Sequence, residues 1–562
     1  MLRTEKSKKK TKKVVTLYRT HPIQELSALL FFFLILCLYR AQALKSFSSH
    51  YLGGYEHDAG LYIWLVKVNI ENFSLWWTLV VDNFVSFIIA GDEKPLNINF
   101  WFNSRAFYPY GATLAFSDNF ILPSLLMGLL TKLGFSFVQS WNAIILFANV
   151  LNGYLTHRLS MRLSGGYLAS LLAGVAFMTW SWFGEHLGHP QLQFAFFIPL
   201  ALLAFFRFIE KPKTNWAFSV GLVLLMAHLS TVYYAVFITL ILIVAGIFFS
   251  ICNPALFKPK NIVRFILGFG SATILFIPFI LPYLHVKNAF GARFLYEPFF
   301  FAANGLSYLS SPVYNWLYGA STANLTHTEG HLFPTFLLFL SLCTVIYKIS
   351  KNAKAQLSGL LLILFLLLSG LFSTLVSSNY NFPHSFLLNQ VAGATTWLTL
   401  LSSISWISLT KSQGSPLTKF FILIFVLFYL ISFGPLGNVV MHEPTWGIYT
   451  ALYYIFPGFD AVRAIARSGI IVTFSLSMIL GLFFANLKKL DYLLASLKVS
   501  ALVIILVENF NVVYPLETAS NKPEIFNSLN TTAQVQDSAI VIPFAPGISS
   551  KDFKIKNWTL FT

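Results

Sequence analysis

The sequence predicts an all-α, polytopic membrane protein with about 12 to 14 transmembrane helices. Of the 562 residues, 56% are hydrophobic and only 10% are charged, whereas a soluble domain carries about 25% charged residues. Apolar runs long enough to cross a bilayer, about 20 residues each, recur along most of the chain. This composition excludes a soluble enzyme, a disordered chain and a disulfide scaffold, and the three cysteines lie inside apolar runs.

A basic segment, residues 1–20, precedes the first apolar run. It holds eight Lys or Arg residues against one Glu, a net charge of 8 − 1 = +7 out of +17 for the chain. A polybasic segment beside a span is typical of the cytoplasmic side of a membrane. Basic runs also bind nucleic acid, but we expect no nucleic-acid partner because a span follows at once. The first run ends without a small-residue cleavage site, so we expect a retained anchor.

The apolar runs and the segments between them predict the orientation. From Gly165 onward, short basic segments alternate with longer segments that are rich in aromatic residues, His and acids. The positive-inside rule places the basic segments in the cytoplasm and the longer segments outside. We therefore expect a multi-pass protein of the cell inner (plasma) membrane with a cytoplasmic N-terminus and a functional exterior, or periplasmic, face. The candidate spans are 26–44, 119–137, 139–157, 165–183, 190–208, 215–230, 232–251, 262–283, 332–349, 356–377, 391–409, 418–435, 467–486 and 493–512.

Charge and hydropathy divide the chain into three parts. A basic cytoplasmic tail is followed by the transmembrane domain, whose first exterior loop is large, and then by a more polar exterior C-terminal segment. In the last part, Ala539-Ile540-Val541-Ile542-Pro543 resembles the start of a strand, so a small domain could begin there, since a lone strand does not fold by itself. The boundaries are 1–25, 26–512 with the first exterior loop at 45–118, and 513–562.

The first exterior loop has two amphipathic stretches, 61–70 and 73–90, which contain Trp and Tyr residues. These residues favour the membrane interface, so we predict interfacial helices on the outer surface. One topological question stays open. With the N-terminus inside, the run at 119–137 is not a simple single crossing, because the span after it must also begin outside. Either this run is re-entrant or 74–90 also crosses.

The first candidate site cluster lies at the start of this loop. Ionisable residues near a bilayer are costly and are therefore candidates for function. Glu56 and Asp58 are two carboxylates that could bind a divalent cation, or of which one could act as a general base. Asp58 also suits a helix N-cap position, which is compatible with a role as base. The sequence leaves metal dependence open.

Two further exterior clusters contain histidine. His189 precedes an apolar span and could contact a phosphate or a sugar, although packing on neighbouring tryptophans is the alternative. Glu329 and His331 stand immediately before the span at 332–349. Glu329 either contacts the head group of a lipid-linked donor or caps the next helix.

A pair of arginines forms the last cluster. Arg463 and Arg467 are four residues apart, which would place both on one face of a helix. They lie at the outer membrane edge, where the positive-inside rule does not explain them. Two exterior guanidinium groups suit a phosphate or diphosphate through forked hydrogen bonds. Anchoring to lipid head groups, or a structural pair with Asp460, is the alternative.

The order of these motifs along a multispan chain resembles that of the GT-C fold integral membrane glycosyltransferases of bacteria and archaea, which use polyprenyl-phosphate-linked sugars. The resemblance covers roughly 50–545. It rests on Glu56 and Asp58 running into Ile63-Trp64-Leu65, Phe107-Tyr108-Pro109-Tyr110-Gly111 followed by Asp118, Gly188-His189 followed by an apolar span with Pro199, Glu329-Gly330-His331-Leu332-Phe333-Pro334, Phe433-Gly434-Pro435, and Pro457-Gly458-Phe459 with Arg463 and Arg467.

The resemblance implies a GT-C-like fold and a hexosyltransferase of the cell envelope. A sugar would move, with inversion, from a polyprenyl-phosphate donor in the outer leaflet to an acceptor hydroxyl, with Asp58 as the base and Glu56 as a paired acid. His189, Glu329, His331, Arg463 and Arg467 would contact the donor phosphate or the substrate. The expected partners are the lipid-linked sugar and membrane lipids.

The sequence keeps two alternatives to this enzyme. One is a non-catalytic transporter or flippase of lipid-linked sugars, and the other is a glycan polymerase of similar fold. A transporter should carry charges or broken helices at mid-bilayer. In this chain the candidate charges gather at the outer ends of the predicted spans, with Asp82 and His228 as exceptions, which favours surface chemistry.

Overall fold

The computed structural model describes residues 15, 17–54, 58–90, 101–104, 111–378, 386–436, 445–487, 491–512, 516–518, 539–541 and 559–561. These residues are mostly helical. The α-helices are α1 Pro22–Tyr39, α2 Ala41–Lys45, α3 Asp58–Ala90, α4 Ile121–Lys132, α5 Phe137–Ser164, α6 Tyr167–Met178, α7 Trp182–Glu185, α8 Phe197–Glu210, α9 Thr214–His228, α10 Val232–Cys252, α11 Pro259–Phe290, α12 Tyr296–Phe300, α13 Gly319–Thr322, α14 Phe336–Ile349, α15 Ala353–Ser378, α16 Phe386–Leu409, α17 Pro416–Ser432, α18 Ile448–Ile455, α19 Gly469–Ala485 and α20 Asp491–Glu508.

The long apolar helices make this an all-α, membrane-embedded protein, as the composition predicts. In the described part of the chain, seven helical segments are long and apolar enough to cross a membrane, and four shorter apolar helices accompany them. The seven segments are Pro22–Tyr39, Tyr167–Gly188, Pro190–Glu210, Val232–Cys252, Pro259–Phe290, Ala353–Ser378 and Ile465–Ala485. The four shorter helices are α4, α9, α14 and α17.

The first exterior loop differs from the prediction of two separate interfacial helices. Helix α3 is one continuous helix of 33 residues, about 50 Å long at 1.5 Å per residue. The polar residues Glu71 and Asn72, which separate the two predicted stretches, are compatible with a helix, and neither glycine nor proline interrupts the chain there. Hydropathy detects where the apolar face changes, but a change of face does not by itself end a helix.

The short helix α4 bears on the open topological question. It has 12 residues, about 18 Å in length, which is less than the hydrocarbon core of about 30 Å. The predicted run at 119–137 is therefore not a full helical crossing. Helix α5 begins at Phe137 because Ser136 and Gln139 form a capping box, in which each side chain accepts a hydrogen bond from the other's backbone N–H.

Small residues let the central helices pack closely. A Cβ on Gly153 of α5 would lie 2.6 Å from the Phe32 ring, and one on Gly174 of α6 would lie 2.5 Å from the Gly153 carbonyl oxygen. Gly481 of α19 packs against Ser160 of α5 in the same way. Because lipid tails are as apolar as the helices, close packing of this kind holds membrane helices together.

Four short strands complete the described structure. Strand β1, His50–Leu52, pairs antiparallel with β2, Leu516–Thr518. The strand expected at Ala539 is present as β3, Ala539–Val541, which pairs antiparallel with β4, Thr559–Phe561. The β1–β2 pair joins the segment just before the start of α3 to residues that follow α20.

Candidate functional site

The candidate site forms at one end of the helical bundle, where the start of one helix and three connecting segments meet. They are the first turn of α3, the irregular turn between α6 and α8, the segment before α14 and the segment before α19. The side chains that connect them are Asp58, His186 and His189, Glu329, and Arg467. Each of the four segments contributes at least one ionisable group to the site.

Asp58 and His189 form the partly exposed edge of the site. Oδ2 of Asp58 lies 2.9 Å from Nε2 of His189, and the side chains are 47% and 26% exposed. A close approach of two loops brings the residues together: Gly53 has φ of +89°, and a Cβ there would lie 2.2 Å from the carbonyl oxygen of Leu187. Asp58 is the first residue of α3, and its carboxylate is directed at His189 rather than only at the helix end.

The two groups have complementary protonation states. The hydrogen bond from His189 lowers the pKa of Asp58, against the opposing effect of burial. Burial lowers the pKa of His189, and the hydrogen bond to Asp58 offsets only part of that effect. At neutral pH the pair is therefore an ionised carboxylate beside a neutral imidazole.

Behind this edge, Glu329 and Arg467 form a buried ion pair. Nη2 of Arg467 donates to Oε1 of Glu329 at 2.6 Å, and Nε donates to Oε2 at 3.0 Å. The residues are 8% and 4% exposed. Burial raises the pKa of Glu329, but the Arg467 guanidinium and His186 together lower it by more than burial raises it. The net pKa therefore lies well below the ordinary value. Arg467 also stands over the Tyr233 ring, 5.2 Å from its centroid.

His186 links the buried pair to the exposed edge. Its Nε2 lies 3.4 Å from Oε2 of Glu329, and its ring stacks on Trp182 with centroids 4.0 Å apart. The His186 and His189 ring centroids are 5.6 Å apart. The role of His186 as a link depends on a contact to Glu329 that no local sequence signal reveals.

His331 is placed differently from a residue that contacts a substrate. Nδ1 lies 2.8 Å from a carboxylate oxygen of Glu185, and Nε2 lies 2.9 Å from the carbonyl oxygen of Ala323. Burial lowers the pKa of His331, but the hydrogen bond and the charge of Glu185, together with the backbone hydrogen bonds to Ala323 and Thr326, outweigh that effect, so the net pKa is raised. Both ring nitrogens face acceptors, which suits a protonated ring that joins two loops.

The expectation that Arg463 and Arg467 share a helix face is wrong. Two 3₁₀ turns, Phe459–Ala461 and Ile465–Ser468, flank three non-helical residues, and α19 begins only at Gly469. Arg467 is buried in the site, whereas Arg463 is exposed and lies 4.8 Å from the centroid of the Phe301 ring. The spacing of four residues implies one face only where the backbone is helical.

A second buried carboxylate, Asp118, lies near the site. Its Oδ1 accepts from the backbone N–H of Val232 at 2.6 Å, and its Oδ2 accepts from the Tyr62 hydroxyl at 3.2 Å. It therefore ties the first turns of α10 to those of α3, the helix that carries Asp58. In the sequence it served only as a landmark after a Pro-Gly turn. A lone acid beside apolar runs was the available signal.

Glu56, the predicted paired acid, lies outside the described residues. Among the residues that the structure describes, no group of three or more His, Cys, Asp or Glu side chains is arranged to hold a metal ion. The candidate site built from described residues is thus an acid–imidazole pair backed by a buried guanidinium–carboxylate pair. This arrangement can accept a proton at its exposed edge and supply positive potential from its interior.

Comparisons with known proteins do not assign the chain to a family. No model of a known protein family matches the sequence, and a search of curated proteins finds no match. We therefore base the functional inference on the geometry of the site and on the order of its motifs.

Proposed function

We propose that the protein is an integral membrane glycosyltransferase with a GT-C-like fold. It transfers a sugar from a polyprenyl-phosphate-linked donor to an acceptor hydroxyl, with inversion, at the exterior face of the plasma membrane. The observation that carries the proposal is the contact between Asp58 and His189, 2.9 Å long and open to solvent, at the end of a bundle of apolar helices. The motif order, which resembles that of this enzyme class, supports the same conclusion.

The chemistry of the transfer needs two kinds of group, and the site has both. An acceptor hydroxyl becomes a better nucleophile when a base takes its proton, and the Asp58–His189 pair provides that base. The departing lipid phosphate gains negative charge and needs a cation nearby. Of the two arginines predicted from the sequence, Arg463 is the exposed one. The charges of Arg463 and Arg467 both lower the pKa of Asp58.

The two arginines therefore have different proposed roles. Arg467 already directs two of its nitrogens at Glu329, so its charge is largely paired, although it still lowers the pKa of Asp58 from inside the site. The Arg463 guanidinium lies over the Phe301 ring, and the residue is exposed, so one face of the group is open to a phosphate at the membrane surface. The lipid chain of the donor would lie along the apolar helix surfaces, in contact with the surrounding bilayer.

The proposal is tested in cells. Envelope glycans and glycolipids are measured by mass spectrometry in an intact strain, a deletion strain, and deletion strains that carry Asp58→Asn or the matched control Glu297→Gln. Glu297 is an exterior acid that pairs with Arg293. We expect one sugar to disappear on deletion, Glu297→Gln to restore it, and Asp58→Asn, at equal protein level, to fail.

Two results would contradict the proposal. If deletion leaves every envelope glycan and glycolipid unchanged in mass, the protein is not the transferase that we propose. If Asp58→Asn restores the missing sugar in full, the carboxylate has no catalytic role, and a transporter of lipid-linked sugars becomes the better interpretation. The mass lost on deletion identifies the class of sugar.

A further inference from the structure

The His189 ring has one nitrogen engaged and one free. Nε2 lies 2.9 Å from the Asp58 carboxylate, so a proton on Nε2 satisfies this acceptor. Within the described ranges, Nδ1 of His189 has no hydrogen-bond partner. It is also not one of the fully buried side-chain atoms that lack a partner, so it is accessible from outside. In this tautomer Nδ1 carries an open lone pair.

Asp58 and His189 also differ as bases at neutral pH. The hydrogen bond from His189 holds the pKa of Asp58 below its ordinary value, which makes this carboxylate a weak base. Burial keeps His189 neutral, so its lone pair is available. A general base works best when its pKa lies near the operating pH, and imidazole is closer to that condition than a carboxylate stabilised in its ionised form.

We propose that His189 takes the proton from the acceptor hydroxyl at Nδ1, while Asp58 orients the ring and stabilises the imidazolium that forms. This assignment rests on the proposed glycosyl transfer and replaces Asp58 as the atom-level base. A carboxylate that holds a histidine in one tautomer is a recurring arrangement in proton transfer. His189, predicted from the sequence to contact a phosphate, becomes a catalytic residue.

The step balances as follows. The acceptor oxygen forms a bond to the anomeric carbon while its O–H bond breaks and the proton moves to Nδ1 of His189. The bond between the anomeric carbon and the donor phosphate oxygen breaks, and its electron pair leaves with the lipid phosphate. The imidazolium, paired with Asp58, then releases the Nδ1 proton to water and returns to its starting state.

The test uses membranes of the deletion strain, which supply the natural donor and acceptor, and adds full-length variants. The rate at which the missing glycan mass returns is measured for His189→Ala with and without added imidazoles of different pKa. We expect His189→Ala to lower the rate about 10²- to 10⁴-fold. Added imidazoles should restore part of it, with a rescued rate that rises with the pKa of the added base.

The dependence on pKa separates proton transfer from mere positioning. An imidazole that only holds Asp58 in position would restore the same rate whatever its pKa, and that result would overturn the proposal. A His189→Ala rate near that of the unaltered protein would also overturn it. His189→Gln, which fills the same space, should be as slow as His189→Ala and gain nothing from imidazole. It thereby also covers the case in which the alanine variant folds poorly.

A matched control and a separate outcome keep the two proposals apart. His285→Gln changes an exposed histidine of α11 and should leave the rate unchanged. If gene deletion removes no glycan, the proposed function fails. If deletion removes a glycan but rescue is flat or absent, the transferase stands and Asp58 remains its base.

Discussion

Replacement of Glu329 by glutamine should destabilise the protein strongly, because it leaves Arg467 charged and buried without a counter-charge. Glu329 and Arg467 are 8% and 4% exposed, and the fork between them consists of contacts at 2.6 and 3.0 Å. Loss of one partner of a buried ion pair costs about 3–5 kcal/mol. That cost corresponds to a change of roughly 10²- to 10⁴-fold in the unfolding equilibrium.

The free energy of unfolding can be measured by SDS titration in mixed micelles, followed by tryptophan fluorescence. Glu297→Gln is the matched control, because Glu297 pairs with Arg293 at 2.8 Å in a half-exposed position, with side chains 26% and 38% exposed. An exposed pair contributes about 0–1 kcal/mol. The contrast between the two variants therefore measures the effect of burial.

A double variant tests the physical reason directly. Glu329→Gln combined with Arg467→Met removes both charges, so no unpaired charge remains in the site. We expect it to unfold less readily than Glu329→Gln alone. Two results would contradict this reasoning. One is that Glu329→Gln loses no more stability than Glu297→Gln, and the other is that Arg467→Met destabilises the Glu329→Gln variant as much as it destabilises the unaltered protein.

The other predictions concern the loops around the site. Gly53→Ala should prevent assembly of the first loop, because the new Cβ would overlap the facing backbone and the residue has a positive φ. Gly291→Ala, also at positive φ but with open space around it, should lower the thermal unfolding temperature much less than Gly53→Ala. Since the folded pKa of His331 is raised, its stabilising effect is complete below about pH 6.5 and is lost as pH rises through the folded value. The free energy of unfolding should therefore be larger at pH 6 than at pH 8 for the unaltered protein, and this difference should be smaller for His331→Gln. Equal differences in the two proteins would refute the charged pair with Glu185. Deletion of 516–518 should expose the first loop to protease while leaving the helical content seen by circular dichroism unchanged.

All seven helical segments of the described residues that are long enough to cross a membrane overlap spans predicted from hydropathy, out of the 12 to 14 predicted. Hydropathy missed the features that depend on contacts. The predicted span at 232–251 is α10 almost to the residue, because an uninterrupted apolar run has one stable form in lipid. The first loop was divided wrongly, since a polar pair inside α3 changes the hydrophobic pattern without ending the helix. The Pro-Gly turn before Arg463 had the opposite effect, breaking a helix that the spacing of the two arginines implied.

The candidate site shows the same division. Asp58, His189, Glu329 and Arg467 could be chosen from the sequence because ionisable residues are few and stand near the ends of apolar runs. Their partners could not be chosen. Glu329 and Arg467 are 138 residues apart, and the pairing of His331 with a glutamate 146 residues away is a property of the folded bundle. Sequence patterns describe one element at a time, whereas ion pairs form between elements.

The pairing of β1 with β2 has a consequence for biogenesis. Strand β1, His50–Leu52, is synthesised early, yet it pairs with Leu516–Thr518, several hundred residues later in the chain. The hydroxyl of Tyr39, at the end of the first helix, likewise donates to the carbonyl of Leu506. The segment that leads into Asp58 therefore waits until residues 506–518 have been synthesised before these contacts can form. A ribosome that stalls before residue 516 would leave β1 without its partner strand, so synthesis of β2 is a late step in building the site.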